Sequence, residues 1–574
     1  MRRFISCICL CTGLLALEEA EFVSRISMLL YIGQPEQAYK ETKIAGKLFP
    51  ESLPIKRLKV EAQTKKHMAP KALALLRKYG FNQNPKENFS LIESVAWSFL
   101  LEKEEANESI LIPSMIGASI SNDAVGINFI LQGLYSGNLT VRLFSVRLAQ
   151  NFSDKEVSKE ILEALIRERS WLIRIEMIRT LGAHKYKPAL EILYRSLGRS
   201  DLTVDEEAAL SKAILQIEKE PNFKLIKKHR RSSKAALRNL AVDAYLKAHH
   251  GAMKEKIVKL IDDPSLLLRE KVVASLTFFH IDEECLASQE KKLKSYAEGS
   301  QPRLGLFSAF ALLAIDPDYA KKRLKEGMFA ADPDTAELAA ALWCLGEAEN
   351  LSEGDSLIGK VPGMTTRMTL AFGMMRNGYY SASVREFLKG YFKTEKDLIM
   401  IDDWEGFPVL RVTSSKIRFN YGIAGYPIYV DRLSRLHILN VLASHDAELA
   451  RTFVKEYLKD EFMGVGIEAM TILLEEGKGS NFDWIRELLH DENEGVRLQA
   501  AMCLSIFGGM DDEILNVLIA AYEKKKWEKK IEILQSIAFG CDRKALPFLL
   551  DRLGDSSKLI RTIAGAGVLQ CLYR

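Results

Sequence analysis

LLHDENEGVRLQAAMCL, residues 488–504, decides how this chain is built. Asp491 opens a short polar turn, Val496 and Arg497 follow it, and Ala500, Ala501 and Leu504 then recur at helical spacing. The same pattern stands at 260–276, LIDDPSLLLREKVVASL, and at 553–569, LGDSSKLIRTIAGAGVL. In each copy an aspartate precedes an arginine by six positions: Asp263 and Arg269, Asp491 and Arg497, Asp555 and Arg561.

Working outward, the arginine recurs along most of the chain. Arg142 and Arg174 stand 32 apart, and Arg238 follows at twice that interval, past a slot near 206 that reads DEEAALSKAIL without arginine. Arg269, Arg303 and Arg367 continue the series. Between the last two, DPDTAELAAALWCLG keeps Asp332 but carries Glu337 near the arginine slot. Beyond an interruption the register resumes at Arg497, passes a degraded copy near Lys529 and reaches Arg561. One helix pair cannot bury its apolar stripe alone, whereas stacked pairs share a continuous core. At 574 residues the chain exceeds what one compact core supports, and 16 prolines and 35 glycines are too few for an all-β chain. The predicted fold is therefore all-α, a right-handed α-solenoid of helical hairpins with one small β-rich insertion. A unit of 31–34 residues with two helices resembles the HEAT-type repeat, in the short variety also seen in bilin lyases. The aspartate is expected to accept N–H bonds at a helix start. The arginine is expected to reach the aspartate of its own or the adjacent unit. Arg142, Arg174, Arg238 and the three Asp–Arg pairs thus read as a structural ladder, not as catalytic groups.

The ends and the interruption differ. Arg2 and Arg3 precede an uncharged apolar run from Phe4 to Ala16, and Glu18 and Glu19 restore polarity. This layout predicts a secretory signal over 1–20, hence an exported chain, bound for the periplasm, the envelope or the medium. No other apolar run is long enough to span a bilayer, so no integral membrane domain is expected. Of the eight cysteines three lie in that signal, and the other five are widely spaced, which fits neither a disulfide framework nor a zinc site. In YIGQPEQAYKETKIAGKLFPES, Gly33, Ala38, Ala45 and Pro50 allow two helices to approach closely and then stop the second, and Ala72 falls 34 residues after Ala38. This resembles the tetratricopeptide repeat, with Phe22 and Leu29 at its large positions and Ile26 departing from its small one. The predicted organisation is tetratricopeptide-like hairpins over 21–120, HEAT-like repeats over 121–401, a β-rich insertion over 402–431, and HEAT-like repeats over 432–574.

That insertion, DDWEGFPVLRVTSSKIRFNYGIAGYPIYVD, alternates β-branched residues over Val409–Thr413 and again over Ile417–Tyr421, predicting a hairpin or extended loop. Asp402, Asp403 and Glu405 beside Trp404 read as a helix end and polar turn. Trp404, Phe407, Arg411, Arg418, Tyr421, Tyr426 and Tyr429 would suit a protein interface, or equally a plug packed on the helices. No metal, cofactor or catalytic constellation is predicted: the nine histidines are scattered, and no phosphate-binding glycine loop or nucleophile motif occurs. Lys+Arg 80 against Asp+Glu 76 nearly cancel, which argues against a nucleic-acid partner despite the basic run Lys224–Lys234. The expected function is an exported scaffold or adaptor that holds a protein or peptide. The resemblance leaves two alternatives, nucleic-acid binding or an enzyme of the bilin-lyase or DNA-glycosylase kind, because repeat families share form rather than activity.

Overall fold

The computed structural model describes residues 18–100, 112, 115–119, 124–218, 222–247, 256–278, 283–346, 351–394, 397–404, 407–414, 426–459, 470, 479–507, 509–540 and 542–573. Helix starts are written locally. Proline occupies the first turn at Pro35, Pro54, Pro302 and Pro317, where its missing N–H costs nothing. Ser52, Asn138, Asp316, Asp446 and Asp511 accept N–H bonds as N-caps. Almost everything described is helix, with a single two-stranded sheet. The chain is thus an all-α repeat protein of HEAT-like, α-solenoid type with one β insertion.

The chain divides into two compact units, residues 1–184 with 500–574, and residues 185–499. The first opens with α1 (18–31), α2 (Pro35–Leu48), α3 (Leu53–Lys65), α4 (Ala69–Lys78) and α5 (Phe89–Leu100). A 34-residue period is visible in the backbone itself. Gly33 and His67 end α1 and α3 in the left-handed region, at φ 75° and 56°. The next N–H in each copy reaches back five residues, Gln34 to Leu29 O at 2.8 Å and Met68 to Gln63 O at 3.0 Å. This is the glycine-type helix stop, adopted in the second copy by a histidine. Ala38, Ala45 and Ala72 are fully buried between helices, as their spacing predicts.

In the same unit the terminal helix Lys558–Tyr573 packs along α5. A Cβ on Gly565 would lie 3.4 Å from the Ala96 carbonyl, and one on Gly567 only 2.9 Å from Ala538 Cβ, so both glycines are close-packing sites. Arg77 donates to the carbonyls of Leu550 and Asp551, both at 3.0 Å. Phe89 and Tyr573 meet edge to face at 5.6 Å. Most of the residues of this terminal helix are buried, and α5 supplies one of its neighbours.

The arginine ladder has one recurring geometry. Arg142, Arg174, Arg238, Arg269, Arg367, Arg497 and Arg561 are each the fourth residue of their helix. Side chains lean toward a helix N-terminus, so a guanidinium there lies against the preceding turn. Nη1 donates to the carbonyls six and five residues back: Ser136 and Gly137 for Arg142, Glu168 and Arg169 for Arg174, Ser232 and Ser233 for Arg238, Asp491 and Glu492 for Arg497, Asp555 and Ser556 for Arg561. The acid six back uses its carboxylate to accept the N–H two residues on, as Asp263 does from Ser265, Asp491 from Asn493 and Asp555 from Ser557. Within a unit, then, Arg497 takes the acid's carbonyl where a carboxylate pairing was expected, and the carboxylates turn to neighbouring units. Arg238 grips Asp263 with Nε and Nη2 at 2.7 and 2.8 Å. Arg142 grips Glu168 at 2.7 and 3.2 Å. Lys455 meets Asp491 at 2.7 Å. In the arginine-free slot near 206 the fourth helix residue is Glu207, and the next unit answers with Lys234 at 2.7 Å.

The second unit carries the insertion. Here α6 (Pro302–Ala311), α7 (Pro333–Gly346) and α8 (Met364–Arg376) precede β1 (Ile399–Trp404) and β2 (Phe407–Ser414), and α9 (Tyr426–His445) follows. The strands are antiparallel, pairing Ile399 with Ser414, Ile401 with Val412 and Asp402 with Arg411, with an irregularity at Asp403–Trp404. The strand read at Val409–Thr413 therefore exists, but its partner lies upstream, and Asp402 and Asp403 belong to a strand, not to a helix end. Ile417–Tyr421 falls outside the described residues. A two-stranded ribbon leaves both edges unpaired, and side chains close them. Thr369 Oγ1 accepts from Val412 N at 2.8 Å and donates to Val412 O at 3.1 Å. On the other edge Asp431 accepts from Ile399 N at 2.8 Å and Ser434 from Ile401 N at 2.9 Å.

Candidate functional site: a groove on the N-terminal hairpins

The alternate helices α1, α3 and α5 of the first unit line an open groove of about 730 Å³. Its apolar surface comes from Val23, Leu58, Leu91 and Trp97, and hydroxyls of Ser27, Ser90, Ser94 and Ser98 stand among them. Arg57, Glu61, Lys65 and Glu93 supply charge of both signs, and His67 lies beside them. Several of these are held in place. Arg57 donates to Asn88 Oδ1 at 2.7 Å and to the Glu87 carbonyl at 3.2 Å, and Asn88 is itself anchored on the carbonyls of Phe81 and Asn84. Lys65 reaches the Leu30 carbonyl at 3.3 Å, at the end of α1. Glu93 accepts from the Tyr573 hydroxyl of the terminal helix. Trp97 is buried in the wall, and its indole N–H has no acceptor among the described residues. Pre-set polar groups around an apolar floor, within the usual volume range of binding clefts, can hold a chain segment by side-chain burial and backbone hydrogen bonds.

Sequence reading did not single out these residues. Their common signal is the tetratricopeptide-like period, which places α1 and α3 as successive first helices. Phe89–Leu100 completes the wall, although the sequence around it shows no third copy.

The residues proposed from the insertion have a different setting. Trp404 stacks on Phe307 of α6 with ring centroids 4.2 Å apart and on Phe407 at 5.0 Å, and Phe407 meets Phe278 at 5.5 Å. Both are buried, and Arg411 is only 4% exposed. Its guanidinium bonds Asp402 at 3.0 Å, the Asp334 carboxylate at 2.6 Å and the Asp334 carbonyl at 3.1 Å. These three side chains fasten the ribbon to the helices. The reason is physical: an isolated hairpin is marginal in water, and its aromatic face is what it has to bury. Arg418 and Tyr421 lie outside the described residues, and Tyr426 and Tyr429 fall in the first turn of α9.

Next to that contact sits Glu337 of α7, 1% exposed and hydrogen-bonded by Thr365 of α8. Burial pushes its carboxyl above the usual range, against the opposing pull of the Thr365 and Thr413 hydrogen bonds and the Arg411 charge. At Asp263 burial pushes the same way, but Arg238 and the Ser265 N–H outweigh it and hold the carboxyl below its ordinary value. Among the described residues no three His, Cys, Asp or Glu side chains gather as a metal site, and no helix is long and apolar enough to cross a membrane.

No family model and no curated protein matches the chain. Solved structures resemble it at low identity. The complex of CpcE and CpcF of phycocyanin lyase from Nostoc sp. PCC7120 is 15% identical, with 48% of this chain and 93% of that one covered and a TM-score of 0.23. A homology model of the full-length AP-3 complex in an intermediate open conformation is 10% identical over 81% and 95%, at 0.34. A crystal structure of a Kap121p mutant is 12% identical over 95% and 68%, at 0.29. These are likenesses of helical architecture, and the repeat assignment rests on the helix pairs and ladder described above.

Proposed function

We propose that this chain is an exported scaffold that holds a segment of a protein or peptide in the groove of α1, α3 and α5. The observation that carries the reading is the groove itself, with its apolar floor, its row of serines and its anchored Arg57 and Lys65. Such a surface offers anchoring burial and backbone hydrogen bonding. Export rests on the first twenty residues, with Arg2 and Arg3 ahead of Phe4–Ala16.

The test is site-specific photo-cross-linking in the source cells, with a photoreactive residue at Ser94 in the groove and, as control, at exposed Glu191. A discrete protein adduct from Ser94 alone is the expected result. Adducts equal at both positions, or an adduct of nucleic acid or pigment from Ser94, would overturn it. N-terminal sequencing of the fractionated protein tests export separately: a chain that keeps Met1 in the cytoplasm removes that part of the proposal.

A further inference from the structure

The basic run Lys224–Lys234 begins in a short helix, Phe223–Arg230, whose two faces differ. Leu225, Ile226 and His229 are buried, and His229 Nε2 lies 2.8 Å from the buried Ser211 hydroxyl. Lys224, Lys227, Lys228 and the C-cap residue Arg231 are exposed. At 100° per residue these four fall within one arc of about 100°, opposite the buried three, and span about 10 Å along the axis. Phe223, 41% exposed, stands at the edge of that arc.

Among the described residues none of the four cations forms an ion pair. From Pro221 to Val242 the sequence holds no acid, and Glu220 lies outside the described residues. Glu207 is engaged by Lys234 at 2.7 Å, Glu218 by the Tyr194 hydroxyl at 2.5 Å and Asp243 by Lys271 at 2.7 Å. Asp205, exposed on the preceding helix, pairs with none of them. The fold draws little from these charges. A helix C-terminus favours cations in its last turn, but Lys224 sits in the first turn, where a cation opposes the dipole. Lys224 and Lys228, and Lys227 and Arg231, also stand at the spacing where like charges repel. In neighbouring units cations are answered at home, Arg195 by Glu191 at 2.8 Å, Arg199 by Asp201 at 2.6 Å and Lys292 by Asp262. The unanswered charge is therefore concentrated on this one helix.

We infer that this face receives a short acidic segment of a protein partner, its carboxylates meeting the four cations and an apolar side chain meeting Phe223. Charge complementarity gives the sign of the partner. The extent of the face gives its class. Nucleic acid carries a phosphate charge every few ångströms along a long backbone and is met by an extended basic stripe. A patch of about 10 Å spans three or four extended residues. Phe223 adds an apolar contact that a phosphate backbone would leave unused. The face belongs to the second unit and shares no residue with the groove, so it does not rest on the groove's role.

Fluorescence anisotropy with the full chain tests this. The probe is a labelled peptide with four successive glutamates followed by leucine, set against an isomer with the glutamates dispersed among serines. The clustered peptide binds more tightly, and raised salt weakens it. K224E/K227E/K228E lowers its affinity about tenfold or more, at a few-fold per exposed pair. K40E/K43E/K47E on α2 changes the net charge equally and binds like the parent. F223S weakens the peptide with leucine and not one with serine in its place. All these positions are exposed, so unchanged circular dichroism is expected, and K224Q/K227Q/K228Q gives a smaller loss in the same direction without reversing charge. No binding of the clustered peptide by the parent, or equal losses in the two glutamate variants, would overturn the inference. So would an oligodeoxythymidylate or phosphatidylglycerol vesicles held as tightly as the peptide and released by K224E/K227E/K228E, since the face would then belong to a phosphate backbone or a lipid surface.

Discussion

Replacing Arg238 by alanine should cost far more than the same change at Arg497, although the two occupy one repeat position. Both guanidiniums donate to two carbonyls of the preceding turn. Those carbonyls sit on partly exposed turns and can bond water instead, so losing them costs about 1 kcal/mol. Arg238 also holds Asp263 through two charge-assisted bonds at 2.7 and 2.8 Å, with the two residues 8% and 5% exposed. Removing one partner of a buried ion pair costs roughly 3–5 kcal/mol. The lower end applies, because the Ser265 N–H and the charge of Arg269 still favour the carboxylate. The expected values are about 3–4 kcal/mol for Arg238→Ala and about 1 kcal/mol for Arg497→Ala.

A chain of two units and many repeats need not unfold in one step. Hydrogen exchange read helix by helix is therefore the suitable assay. Arg238→Ala should speed exchange of Leu266–Phe278 amides by about a hundredfold or more, and Arg497→Ala should speed Glu494–Phe507 by about fivefold. R238M/D263L should recover much of the loss, since an apolar pair avoids the stranded charge. The pH sign follows from Asp263. Its native pKa lies below the unfolded value near 4, so the pair's contribution is full above that value and is lost as pH falls through the lower native one. Equal acceleration in the two helices, or a double variant as damaged as R238A and D263L combined, would refute the reasoning.

Two further outcomes follow from the insertion. Trp404→Ala should destabilise the second unit by about 3–5 kcal/mol, visible as faster exchange in β1, β2 and α6, because Trp404 fills space against Phe307 and Phe407; unchanged protection would return Trp404 to the candidates for partner binding. Glu337→Gln should stabilise at pH 7.5 and progressively less toward pH 5. The native carboxyl holds its proton more tightly than the unfolded one, so the parent's stability declines as pH rises through the raised native pKa, and glutamine escapes that decline; a difference between the two proteins that does not vary with pH would count against it.

The repeat was legible because its signal is local. An arginine four residues into a helix bonds the turn just before it, so acid, turn and arginine must stay in fixed spacing, and period and ladder can be read without knowing what packs where. The ladder's cross-links were harder to see. Glu168 plays the part of Asp263, accepting from Ser170 N at 2.8 Å and gripped by Arg142, but a glutamate hides it from an eye tuned to aspartate. β1 was illegible for a stronger reason. Asp402, Asp403 and Trp404 signal a turn by local preference, and they form a strand because Arg411 neutralises Asp402 while Asp431 and Ser434, some thirty residues on, cap the strand edge. The groove residues had no signature beyond the tetratricopeptide-like period of their helices, since the lining spans Val23 to Ser98 and exists only once three helices are stacked.

The insertion and the break in the ladder explain one another. The fourth residue of α7 is Ala336, where other units place arginine, and the next is the buried Glu337. A helix start without its guanidinium leaves the carboxylates around it uncompensated, and Asp332, Asp334 and Glu337 all lie there. Arg411 brings the missing charge from outside the repeat. It bonds both the carboxylate and the carbonyl of Asp334, and its field reaches Asp332 and Glu337. A ribbon that carries this arginine is tied to a unit of the second array that lacks its own. Trp404 and Phe407 then seal the contact against Phe307 and Phe278. The β insertion thus continues the ladder by other means, and Trp404 and Phe407 belong to the interior that this arrangement creates.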